Sequence, residues 1–73
     1  MVESNIRYFL KKKNMSQIEL AIKIGLTEAS VSRYVNGERI PKITVCLKIA
    51  EVLGCEVSDL YTITNEDELE EKQ

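Results

Sequence analysis

Histidine and tryptophan are absent from this sequence, and so is any long apolar run. Without histidine there is no Ser-His-Asp or Cys-His arrangement for nucleophilic catalysis and no imidazole to hold a metal. The two cysteines, Cys46 and Cys55, stand nine residues apart with nothing to complete a zinc set. They are also too few for a disulfide framework, so reduced, buried thiols are expected. No glycine-rich phosphate loop followed by lysine occurs, and no pair of carboxylates is placed to face a cleft. No enzymatic activity, cofactor or metal is therefore expected. No segment approaches the roughly 18 apolar residues of a membrane span, and no charged-then-apolar leader opens the sequence, so the expectation is a soluble, cytoplasmic protein with no membrane partner. Aromatic residues make up only 5%. Phe9 and Tyr34 fall on inward stripes, which reads as packing rather than as platforms for stacked bases.

What is present fits one domain. A chain of 73 residues buries only about 60% of the surface that it exposes unfolded, so its core must be economical and no small-molecule effector is expected. Net charge is −2, but its distribution is uneven. Residues 1–50 carry nine basic side chains (Arg7, Lys11, Lys12, Lys13, Lys23, Arg33, Arg39, Lys42, Lys48) against four acids, a balance of +5. Residues 51–73 carry only Lys72 against eight acids, a balance of −7. This points to a basic working face on the first part and an acidic region directed elsewhere.

The apolar spacing reads as a succession of short helices. Ile6, Phe9 and Leu10 share one face of a first helix, which Asn14 can end. Ser16 followed by Glu19 is a capping box, in which serine accepts an orphan amide and glutamate reaches back. The second helix turns Leu20, Ala21 and Ile24 inward and stops at Gly25. Thr27 caps a third helix whose stripe is Val31, Tyr34 and Val35, leaving Glu28, Ala29, Ser32 and Arg33 outward. Asn36-Gly37 is a turn signal, and Pro41 precedes a fourth helix with Ile43, Cys46, Leu47, Ala50 and Leu53 inward and Ile49 beside them. Lys42 is a poor cap there, and Thr44 could take over. Gly54 closes it. Ser58 can cap a short final helix containing Leu60 and Tyr61. Residues 1–63 thus form the domain, and 64–73 form an acidic tail expected to be disordered.

Two short helices separated by a tight turn containing glycine, each opened by a capping residue, form an arrangement suited to setting the second helix into a groove. At this point the sequence resembles the Cro and phage-repressor (XRE-type) helix-turn-helix family. The resemblance rests on Asn5-Ile6-Arg7, Met15-Ser16-Gln17, Glu19-Leu20-Ala21, Gly25-Leu26-Thr27, Ser30-Val31-Ser32-Arg33-Tyr34, Asn36-Gly37, Pro41, Ile49-Ala50, Leu53-Gly54 and Asp59-Leu60. It covers roughly residues 5 to 61. It implies an all-α, compact five-helix, lambda-repressor-like domain whose third helix enters the DNA major groove. Three positions depart from the family pattern. Val35 replaces a common glutamate, so that helix end is expected to be packed rather than hydrogen-bonded. Cys46 stands where leucine is usual, and Lys42 replaces a frequent serine cap.

The resemblance implies a sequence-specific regulator of transcription, a repressor that binds double-stranded DNA at a palindromic operator as a homodimer. Glu28, Ala29, Ser32 and Arg33 fall on base-facing positions. Arg33 has the planar fork that matches guanine, Glu28 could accept from cytosine N4, and Ala29 could touch a thymine methyl. Ser16 and Gln17, at a helix N-terminus, are expected at backbone phosphate with Thr27, Ser30, Asn36, Arg39 and Lys42. Leu53, Val57, Leu60 and Tyr61 are the expected dimer interface. The alternative of another class is a protein-interaction or antitoxin-like adaptor built on the same fold. Salt titration separates the two, because phosphate contacts are lost steeply as salt rises.

Overall fold

The computed structural model describes residues 2–64. The chain runs through β1 (Val2–Ser4), α1 (Ile6–Lys12), α2 (Gln17–Ile24), α3 (Glu28–Val35), α4 (Ile43–Leu53), a single 3-10 turn (Val57–Asp59) and β2 (Tyr61–Ile63). The two strands pair antiparallel, with Val2 opposite Ile63 and Ser4 opposite Tyr61. The fold is therefore mostly helical, with four α-helices and a small sheet, and not the all-α five-helix domain that was expected. The expected fifth helix fails for lack of length. Only three residues turn helically before Tyr61-Thr62-Ile63, an aromatic and β-branched run that favours extended backbone and finds a partner in the N-terminal strand. Ser58 lies inside the 3-10 turn rather than before it, and Asp59 Oδ2 accepts from the Glu56 amide at 3.0 Å. All of the expected tail except Thr64 lies outside the described residues.

Local chemistry fixes the helix ends. Asn14, with φ at 53°, turns the chain out of α1, a conformation that asparagine tolerates. The capping box at α2 is complete: the Glu19 amide donates to Ser16 Oγ at 3.0 Å, and the Ser16 amide donates to Glu19 Oε1 at 3.2 Å. Gly25 closes α2 at φ 73°, where any side chain would be strained, and the Leu26 amide bonds the Ala21 carbonyl at 3.0 Å. Lys42 precedes α4 without a side-chain cap, and the helix still begins at Ile43 rather than at Thr44.

The core gathers one stripe from each helix: Ile6 and Leu10, Leu20, Ala21 and Ile24, Val31 and Val35, then Cys46, Ile49, Ala50 and Leu53, closed by Leu60. Each fully buried leucine or isoleucine contributes about 1.5–3 kcal/mol. Two expectations are corrected here. Ile43 and Leu47 are 64% and 54% exposed, because the stripe that turns inward on α4 is centred on Ile49 and carries both of them past its edge. Leu53 and Leu60, expected at a dimer interface, are 2% and 0% exposed and have no surface to lend. Val57 and Tyr61 remain half-buried. Cys46 fills its core position as a small apolar group, with its thiol directed to the Pro41 carbonyl at 3.4 Å.

Asn5 joins the two ends of the fold. Its amide donates to the Leu60 carbonyl at 2.8 Å, and its Nδ2 donates to the Asp59 carbonyl at 3.1 Å and to Thr62 Oγ1 at 2.9 Å. One side chain thereby locks the start of α1 to the strand that covers it.

Candidate nucleic-acid interface

Helices α2 and α3 pack against each other through Leu20, Ala21 and Ile24 on one side and Val31 and Val35 on the other. With those residues inward, Glu28, Ala29 and Arg33 are exposed and Ser32 is partly so, which makes one continuous outward stripe along α3. The stripe offers a carboxylate at the helix start, a methyl, a hydroxyl and a guanidinium.

Caps decide which groups remain available to an anion. Ser16 donates its own amide to Glu19 and accepts the Glu19 amide on Oγ, so only its hydroxyl hydrogen is left to donate. Gln17 follows at the first position of α2, half-buried, where amides without intrahelical acceptors and the helix dipole favour negative charge. At α3, Thr27 Oγ1 accepts the Ser30 amide at 3.2 Å and donates to Ser30 Oγ at 3.0 Å. Thr27's hydroxyl is thus committed within the cap, and Ser30 holds the hydroxyl hydrogen free to reach outward. Arg39 and Lys42 are exposed on the loop after α3. The Glu38 amide bonds the Arg33 carbonyl at 2.9 Å and ties this loop to the helix end.

The end of α3 contains a connection that the sequence reading missed. Arg7 Nη2 on α1 donates to Asn36 Oδ1 at 2.7 Å, and Asn36 Nδ2 donates to Ser32 Oγ at 3.4 Å. Arginine has no acceptor, so the amide oxygen must face it and the amide nitrogen must face Ser32. Ser32 Oγ therefore accepts, and its own hydrogen is left for something outside the protein. Val35 is packed, at 3% exposure, as expected. The helix end beside it is nevertheless hydrogen-bonded, contrary to expectation, because the Asn36 side chain joins Arg7 to Ser32. No local signal marks this contact in the sequence, because it joins side chains 29 residues apart. Tyr61 adds a second tie, its hydroxyl donating to the Tyr34 carbonyl at 3.1 Å. Burial, with the nearby Cys46 and Tyr34, pushes this hydroxyl up to about 12.

Comparison with known proteins agrees with this geometry. A family model described as helix-turn-helix matches residues 6–60. Two relatives from Archaeoglobus fulgidus, each named an uncharacterised helix-turn-helix-type transcriptional regulator, are 32% and 30% identical. They cover 99% and 90% of this chain and 100% and 94% of their own. A crystal structure of a candidate DNA-binding protein from Bacteroides fragilis superposes with a TM-score of 0.78 at 26% identity, over 85% of this chain and 100% of its own.

Proposed function

The chain belongs to the helix-turn-helix family, and from that premise we propose that it is a sequence-specific regulator of transcription that reads double-stranded DNA. The supporting observation is the outward stripe of α3, free of the core and held at both ends by hydrogen bonds. In this reading Arg33 grips a guanine edge, Glu28 accepts from cytosine and Ala29 meets a thymine methyl, while Ser32 donates to a base acceptor. Ser16, Gln17, Ser30, Arg39 and Lys42 contact phosphate, as does Thr27 through its backbone amide, and these contacts set register rather than sequence; Asn36, whose amide bonds the Ser32 carbonyl at 2.9 Å, supports the helix end beside them. Residues 1–63 are the DNA-binding domain, and 64–73 are an acidic appendage whose charge opposes contact with the duplex. The protein works in the cytoplasm as a repressor, by occupying its operator.

A single recognition helix touches only a few base pairs. Selective binding on a genome then calls for two half-sites about 34–36 Å apart, and so for a homodimer on a palindrome. The test is selection of duplexes from a random pool, followed by titration of the best site at several salt concentrations with wild type and Arg33→Ala. A two-fold symmetric motif is expected, with a steep loss of binding as salt rises and a loss of about 1–3 kcal/mol per half-site for Arg33→Ala that is confined to one base pair. Failure to select any motif refutes the reading. A uniform loss over all duplexes would make Arg33 a phosphate contact.

A further inference from the structure

Among the described residues nothing covers one apolar face of the sheet. The pleat places Val2, Ile63 and Tyr61 on the same side of the ribbon, with Glu3 and Thr62 on the other. That side forms the wall of an open groove of about 520 Å³, completed by Ile40 from the loop after α3 and by Val57 and Ser58 from the 3-10 turn. Among the described residues no charged side chain lines it. Ile63 is 74% exposed, Ile40 53% and Val2 39%. Ile43 and Leu47 on α4 are also exposed but do not line this groove. A folded domain this small does not leave several large aliphatic side chains around one groove without consequence.

We infer that this groove is where two copies of the chain meet, an inference that rests on the dimeric reading above. Four observations favour a second copy. The lining is neutral and each chain carries a net charge of only −2, so identical surfaces do not repel. Ile63, Ile40 and Val2 each hold exposed apolar surface at the groove, which pairing of two copies removes from water on both sides at once. Each strand has only one neighbour, and a two-stranded sheet of three-residue strands is marginal unless something packs on it. No lining residue comes from α2 or α3, so docking here leaves the outward stripe of α3 clear. The competing occupant from the same chain, residues 65–73, is a poor fit, with five acids, one lysine and Leu69 as its single apolar residue.

This placement replaces Leu53 and Leu60 with Ile40 and Ile63, and keeps Val57 and Tyr61. The experiment is sedimentation velocity over a concentration series on wild type, Ile40→Glu, Ile63→Asp and, as a control on the exposed face of α2, Ile22→Glu. Far-UV circular dichroism checks that each is folded. Because Ile40 and Ile63 are largely exposed, their variants are expected to keep wild-type helicity while the dimer dissociation constant rises about thirtyfold or more. Ile22→Glu should dimerise as wild type does. A wild-type dimer that both groove variants leave intact overturns this surface and leaves the dimeric reading standing. A wild type that stays monomeric, and occupies a two-half-site duplex without cooperativity, overturns both. If the full chain is monomeric but a chain ending at Thr64 dimerises, the groove holds the tail and the proposal fails.

Discussion

The hydrogen-bond chain from Arg7 through Asn36 to Ser32 makes a prediction about direction rather than strength. Arg7 and Asn36 are both exposed, so breaking their 2.7 Å contact should cost less than about 1 kcal/mol of stability. Its effect should be felt at the DNA. With the amide nitrogen fixed toward Ser32, that serine keeps its hydrogen to donate outward, and a hydroxyl-to-acceptor bond has a net worth of about 1 kcal/mol, roughly fivefold in affinity per half-site. Asn36→Asp keeps an acceptor for Arg7 but turns a second acceptor toward Ser32, which must then spend its hydrogen inside the protein. Ser32→Ala should lose the same fivefold. The double variant should lose no more at that base pair than either single one, since both remove one interaction. The added aspartate charge would also weaken binding to every duplex, but that part is uniform and fades with salt. The assay is fluorescence anisotropy with duplexes in which one purine at a time is replaced by its 7-deaza analogue, which lacks the N7 acceptor. Apart from the guanine gripped by Arg33, where the replacement should weaken all of these proteins alike, wild type should be sensitive to one further replacement per half-site, while Ser32→Ala and Asn36→Asp should be indifferent to that one. If Asn36→Asp kept the wild-type sensitivity, or if the two losses were additive, the chain would not set the polarity of Ser32.

Two further outcomes follow from bonds that hold α3 and α2 in place. Tyr61→Phe removes the hydroxyl bond to the Tyr34 carbonyl and should cost about 1 kcal/mol at neutral pH. The folded-state value of this hydroxyl is raised from 10.0 to about 12, so its contribution is complete below pH 10 and is lost as pH rises through 12. Denaturant melts of the two proteins at equal concentration should therefore converge over that window, and a constant gap would refute the assignment. Ser16→Ala removes half of the α2 capping box and should cost about 1 kcal/mol, which lowers Tm by about 4–8 °C in a domain of this size; a shift within 1 °C would mean that Glu19 alone sustains the cap.

The helices were legible because their signals are local. Ser16 with Glu19, Gly25, Thr27 and Gly54 each act within one turn, and the structure uses every one of them as a cap. The sheet was not legible, since three residues at each end of the domain show too little alternation to stand out, and their pairing depends on partners about 60 residues apart. The fourth helix was half legible: Ile43, Cys46, Leu47, Ile49, Ala50 and Leu53 contain two overlapping stripes, and which one turned inward was settled by the neighbours. The outward stripe of α3 followed from its apolar complement. The Arg7 contact did not, because it joins side chains 29 residues apart and rests on an amide orientation that no periodicity encodes.

Helix α3 is held less by its own propensity than by what grips its two ends. Eight residues make a marginal helix in isolation. At its start the Thr27 and Ser30 pair satisfies an orphan amide. At its end three elements converge: α1 through Arg7, the following loop through the Glu38 amide, and β2 through the Tyr61 hydroxyl. Tyr61 belongs to two surfaces at once, because its ring lines the apolar groove while its hydroxyl holds the Tyr34 carbonyl. A body seated in that groove would touch a side chain that is bonded directly to α3, the helix proposed to face DNA. The path from one surface to the other is a single residue long and contains no loop. If two copies meet there, the distance and angle between their two reading helices are set by packed groups rather than by a flexible connection, which is the condition for reading half-sites at one fixed spacing.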